Sequence, residues 1–134
     1  QHLFVERDEV VVMDMEAGVE HMGRGTAKHV DIMLIVADPS LKSMETAKKI
    51  YGLAAEAGIK KAFIIGNKIR NSGESELIQR FAADNKIPIL DLVPNDERIL
   101  KADIQGETPL KYAEDSVGIA TIQKIGEKLL KQKI

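Results

Sequence analysis

The chain has 134 residues, 44% apolar and 30% charged, enough for one compact domain with a core of its own. Its 19 basic and 21 acidic residues leave a formal charge of −2, so no broad positive field exists to gather nucleic acid. With no cysteine, this chain has no disulfide, no thiolate metal site and no cysteine nucleophile.

The chain opens Gln1-His2-Leu3-Phe4 and runs into the charged stretch Glu6-Arg7-Asp8-Glu9. That pattern reads as the end of a helix that starts elsewhere, so a fragment is expected. An apolar run follows, Val10–Asp14, and three more come later: Ile32–Ala37, Ala62–Gly66 and Pro88–Val93. The first three are apolar almost throughout, as strands covered on both faces would be. Between them lie helical stripes. Met44, Ala47, Tyr51 and Ala54 recur at i, i+3 and i+4, widened by Ile50, Leu53 and Ala57, and Gly58 supplies a stop. Leu77, Ile78 and Phe81 mark a shorter helix after the turn Asn71-Ser72-Gly73. Ile119, Ile122, Ile125 and Leu129 mark a longer one near the end. Alternating strands and helices predict an α/β domain, a mostly parallel sheet with helices on both faces. Right-handed crossovers bring all strand ends to one edge, where open α/β sheets bind ligands.

The residues after each strand are therefore the candidates. Asp14, followed by Gly18, is either a carboxylate placed to hold magnesium through its water shell or a cap for the next helix. Asp38-Pro39-Ser40 reads as a turn with Ser40 as N-cap. Gly66-Asn67-Lys68 places an amide, donor and acceptor at once, where a purine edge could be read; a turn residue is the alternative. Pro94-Asn95-Asp96-Glu97 offers a proline-fixed backbone and a carboxylate for base or ribose, or else an N-cap at Asn95 or Asp96. Glu20 and His21 are adjacent and diverge on a helix, and His29 lies about two turns beyond His21, so no metal chelate is expected from them. Arg24 is read as part of a solvated face. Lys124, Lys128, Lys131 and Lys133 load the last helix with charge, but Leu129, Leu130 and Ile134 are too little apolar surface for a firm membrane anchor. No run reaches the roughly 18–20 apolar residues of a membrane span, and a cytoplasmic protein is expected.

The run from Asp8 to Asn71 strongly resembles the nickel-insertion ATPases that mature carbon monoxide dehydrogenase, the CooC type, within the wider group of MinD and the nitrogenase iron protein. The most specific part is E-A-G-x-E-H-x-x-R-G-T-A-K, residues 16 to 28. The resemblance covers nearly the whole chain but only the second half of that fold. It implies that residues 1–134 are the C-terminal portion of one phosphate-loop triphosphatase domain of the SIMIBI type, lacking the N-terminal half. The family's G-K-G-G-V-G-K-T loop has no counterpart here, since Gly23-Arg24-Gly25-Thr26 has neither the lysine nor a preceding strand. This chain alone is accordingly not expected to hydrolyse ATP.

On that resemblance, Asp14 holds Mg2+ through water, Gly18 senses the γ-phosphate, Asn67 reads adenine, and Pro94 and Asp96 close over base and ribose. Glu16 departs from the small residue common in that loop. Guanine-specific relatives use Asn-Lys-x-Asp, whose acid grips the exocyclic amine of guanine; Arg70 stands in that place here. The implied cofactors are ATP and Mg2+ in the full-length protein, with a Ni2+ or Zn2+ site on a Cys-x-Cys pair upstream. The implied partners are a second copy, forming a homodimer, and apo carbon monoxide dehydrogenase as client. ATP would draw the Asp14–Gly18 loop inward and favour a closed dimer, and hydrolysis would release it. Two other readings remain open: a MinD-like or iron–sulfur-scaffold ATPase fragment with another client, and a catalytically silent α/β interaction domain. Flavodoxin-like binding lacks the glycine- or hydroxyl-rich first loop it would need.

Overall fold

The computed structural model describes residues 9–15, 29–112 and 114–131. Within them, strands β1 (Met33–Ala37), β2 (Ala62–Ile69) and β3 (Ile89–Pro94) form a parallel sheet in the order β1-β2-β3. Helix α1 (Leu41–Glu56) connects β1 to β2, and α2 (Ser72–Asp84) connects β2 to β3. After β3 come α3 (Glu97–Ile104), the single turn α4 (Pro109–Tyr112) and α5 (Val117–Leu130). Sequential parallel strands joined by right-handed crossovers put both connecting helices on one face. The core shows this. Met44, Ala47 and Ala54 of α1 pack with Ile78 and Ala82 of α2 against Ile35, Ala37 and Ile64. The opposite face carries α5, whose Ile125 and Leu129 meet Leu34, Ile65, Leu90 and Val93. The expected fold class holds: helices cover both faces of a parallel sheet.

Local chemistry explains where the helices begin and stop. Ser40 caps α1, its hydroxyl accepting from the Ser43 amide at 3.2 Å, while Ser43 Oγ accepts from the Asp38 amide at 2.9 Å. Gly58, at φ +89°, then lets the chain reverse, and the Ile59 amide returns to the Ala54 carbonyl. Asn71 caps α2 through its Oδ1, which takes the Glu74 amide at 2.9 Å. Lys128 of α5 reaches inward to the Leu90 carbonyl and to Asp91, which commits it to the sheet. Among the described residues no helix is long and apolar enough to cross a membrane.

Two register shifts mark the β2–β3 ladder. Ile64 pairs with Ile89 but Ile65 with Asp91, so Leu90 is an extra residue in β3. Gly66 then pairs with Leu92 and Ile69 with Pro94, so β2 carries an extra residue between them. That second bulge contains Asn67 and Lys68, and Lys68 takes the left-handed φ of +54°.

Beyond shifts of one residue at strand ends, the structure departs from several sequence expectations. Val10–Asp14 forms no strand: residues 9–15 have no regular structure, and Val12 is 87% exposed. The physical reason is partnership. A strand exists only when a neighbour takes its backbone groups, and among the described residues β1 pairs with β2 alone. β2 runs three residues past the expected Gly66, because the bulge carries the ladder on to Ile69 rather than ending it. Val36 is 61% exposed, so the face of β1 that α5 leaves open is not covered among the described residues.

Candidate functional site

The carboxyl-terminal edge of the sheet is built by β2 and β3 together. Ile69 pairs with Pro94, and the Asn95 amide donates to the Ile69 carbonyl at 2.8 Å. The bulge just before this pair sets Asn67 at the same edge. Gly66 makes the approach possible. A Cβ there would lie 2.5 Å from Leu92 Cδ2 and 3.3 Å from Ile78 Cδ1, so any other residue would have to displace the Leu92 side chain.

Asn67 is half-buried, and its amide has no partner among the described residues. The neighbouring amides are differently employed. Asn71 caps α2, and Asn85 Nδ2 donates to the Phe81 carbonyl at 2.8 Å. Asn67 alone of these three holds a free donor and acceptor at the edge. The left-handed turn falls on Lys68 instead, so Asn67 is not the residue that the bend demands.

Asp96 is occupied. One oxygen caps α3 by accepting from the Arg98 amide at 3.0 Å, and the other accepts from the Gly118 amide at 2.9 Å. The Gly118 amide holds this carboxyl below the usual carboxylate range, against the effect of burial, and the Ser116 hydroxyl and Arg98 add to it. One carboxylate therefore clasps the starts of two helices and fixes the Pro94–Asp96 loop. The N-cap alternative read from sequence is the role the geometry displays.

Arg70, next along from Ile69, is held by Glu74. Its backbone amide donates to Glu74 Oε2 at 2.8 Å and its Nε to Oε1 at 2.7 Å. The paired guanidinium draws the Glu74 carboxyl below its ordinary range, and Glu74 in turn raises Arg70.

The structure thus brings Asn67, Pro94 and Asp96 to one edge. Asp14 is solvent-exposed and stands outside the sheet, and Gly18 lies outside the described residues, as do Glu16, Glu20, His21, Arg24 and Lys133. His29 is exposed, and no group of three His, Cys, Asp or Glu among the described residues has the geometry of a metal site. Sequence reasoning missed three contributors. Gly118 and Ser116 carried a signal in Ser-Val-Gly-Ile, a capping serine just before an apolar stripe. The Arg70–Glu74 pair had one in Asn71-x-x-Glu74, a capping pattern with an acid in the first turn.

A parallel sheet with helices on both faces and polar groups collected at its carboxyl-terminal edge defines a doubly covered α/β domain. The family model described as 4Fe-4S iron sulfur cluster binding proteins, NifH/frxC family, matches residues 10–134, and the chain belongs to that family. An uncharacterized ATP-binding protein of Methanocaldococcus jannaschii is 41% identical over 133 residues, 99% of this chain and 51% of that protein. The carbon monoxide dehydrogenase accessory protein CooC of Rhodospirillum rubrum is 40% identical over 106 residues, 79% of this chain and 40% of that protein. The MinD cell division protein of Aquifex aeolicus shares the fold with a TM-score of 0.70 at 20% identity, over 87% of this chain and 51% of that one. A ParA family ATPase of Chlorobium tepidum matches with a TM-score of 0.65 at 28% identity, over 84% of this chain and 47% of that one. The chain spans about half the length of the curated relatives it matches.

Proposed function

We propose that this chain supplies the base-binding edge of an ATP-dependent ATPase that serves metallocentre maturation. The observation that carries the reading is the amide of Asn67, without a partner among the described residues and set by a bulge beside the Ile69–Pro94 pair. An amide offers a donor and an acceptor in one plane, the complement of adenine N7 and its N6 amine. Pro94 fixes the backbone beside that position, and Asp96 acts as the clasp that holds the Pro94 loop in place rather than as a direct ligand.

Magnesium fits this chain in one mode only. Mg2+ is commonly held by one or two carboxylates with water and substrate phosphates, and Asp14 is an exposed carboxylate with no partner among the described residues. Asp14 would hold the ion, which would neutralise phosphate charge, and Gly18 would sense the terminal phosphate. The chain has no cysteine for the thiolate Ni2+ or Zn2+ site that the resemblance places upstream, and the described residues hold no cluster of three metal ligands. Nickel delivery to apo carbon monoxide dehydrogenase, and a nucleotide-driven homodimer, therefore rest on the likeness to CooC.

Binding of a fluorescent ATP analogue to the full-length protein with Mg2+ tests the reading. Asn67→Ala should weaken ATP about tenfold or more, the loss of a paired amide at a base edge. Asp14→Asn should abolish hydrolysis while the fold is kept. Unchanged affinity in the first variant, or unchanged turnover in the second, removes the corresponding role.

A further inference from the structure

Arg70 is 70% exposed at its side chain, yet its guanidinium is tied to Glu74. Glu74, only 13% exposed, takes both the Arg70 backbone amide and Nε, and Glu74 is itself held in the first turn of α2 by Asn71. An exposed ion pair of this kind adds little to stability. What the arrangement secures is direction: a planar cation stands at the lip of the edge, one residue past the Ile69–Pro94 pair.

We propose that Arg70, splinted by Glu74, is a specificity-determining residue that favours adenine and rejects guanine at this edge. The inference rests on the reading of Asn67 as the base-contacting amide. In Asn-Lys-x-Asp the fourth residue is an acceptor-only carboxylate, which suits the N1–H and N2 amine of guanine. Arg70 occupies that fourth place after Asn67 and Lys68, and a guanidinium has donors only. With Asn67 on the N6/N7 side of the base, the motif position that Arg70 holds is the one that meets the opposite, N1 side. Adenine presents a lone pair at N1 there, and guanine presents hydrogens that meet other hydrogens. Glu74 is the positioning residue: it occupies one side of the fork and leaves the rest for the base.

The test is competition of ATP and GTP, each with Mg2+, against a fluorescent ATP analogue on the full-length protein. Wild type should prefer ATP. Arg70→Gln should lower the ATP-to-GTP affinity ratio about tenfold, and Arg70→Asp, which restores Asn-Lys-x-Asp, should lower it further by strengthening GTP. Glu74→Gln should lower the ratio by a smaller factor with Arg70 intact, an effect a merely structural pair would not have on discrimination. If Arg70→Asp fails to fold, Arg70→Gln decides. A ratio unchanged within about twofold in Arg70→Gln, while Asn67→Ala still weakens ATP, overturns the role of Arg70 alone. Preference of wild type for GTP also overturns it. Full ATP affinity in Asn67→Ala overturns the base-reading assignment and this inference with it.

Discussion

The amide of Gly118 donates to a carboxylate oxygen of Asp96 at 2.9 Å, joining the first turn of α5 to the start of α3. The contact needs a residue without a side chain. A Cβ at 118 would lie 2.8 Å from Ile99 Cδ1 and 3.0 Å from Asp96 Cβ. Gly118→Ala should therefore cost about 1–3 kcal/mol, the usual penalty for overpacking, read as a lower urea midpoint with an unchanged slope. Stability equal to wild type would mean that the two helices part without consequence.

Asp96 also gives the fold an acid limb. Its folded-state value lies below the ordinary 3.8, so between the two values the unfolded chain binds more protons. The contribution is present above about pH 4 and is lost as pH falls through the lowered value. Asp96→Ala, which removes a cap and a link between helices, should cost about 1–2 kcal/mol near neutrality. The gap between variant and wild type should narrow as the solution is acidified, and a constant gap from pH 7 to pH 2 would contradict it.

Gly66→Ala should be costly for a different reason. The added methyl would meet Leu92 Cδ2 at 2.5 Å inside the interface of β2, β3 and α2. A loss of about 1–3 kcal/mol is expected, with weaker ATP binding if the bulge beside it shifts. Thermal unfolding and the nucleotide competition assay read the two effects separately.

Lys68 sits at φ +54°, a conformation that a β-branched residue tolerates poorly. Lys68→Val should destabilise by about 1–2 kcal/mol, whereas Lys68→Asn should be close to neutral because asparagine accepts the left-handed region. Equal stability of the two variants would show that the bulge relaxes.

Much of this architecture was legible in the residues. Met44, Ala47 and Ala54 keep helical spacing and are buried together, because burial of one stripe is what the spacing encodes. Ile35, Ala37 and Ile64 were readable as covered strands for the same reason. Val10–Asp14 was not, since an apolar run reports only a tendency, and pairing depends on a partner elsewhere in the chain. Only the start of α3 was readable, as an N-cap, and α4 gave no signal. They are short, and Leu100, Ile104 and Leu110 remain largely exposed, so no buried stripe announced them. At the site, Asn67 and Pro94 were placed correctly because strand order fixes where strand ends meet. The bulge that positions Asn67 was not visible, because a register shift arises from two strands jointly. The N-cap reading of Asp96 was legible, but its bond to Gly118 was not, because that partner lies 22 positions away.

The two irregularities of the β2–β3 ladder have opposite sense. Leu90 advances β3 by one position, and the Asn67–Lys68 step advances β2 by one, so Ile69 and Pro94 regain the offset that Ile64 and Ile89 had. They work like a gain and a loss of one tooth on meshed racks, leaving the ends flush. Deleting Lys68 alone would slide Pro94 out of step with Ile69 and turn the following side chains over, whereas losing Lys68 and Leu90 together would restore alignment. Chain-length changes here are tolerable only in matched pairs.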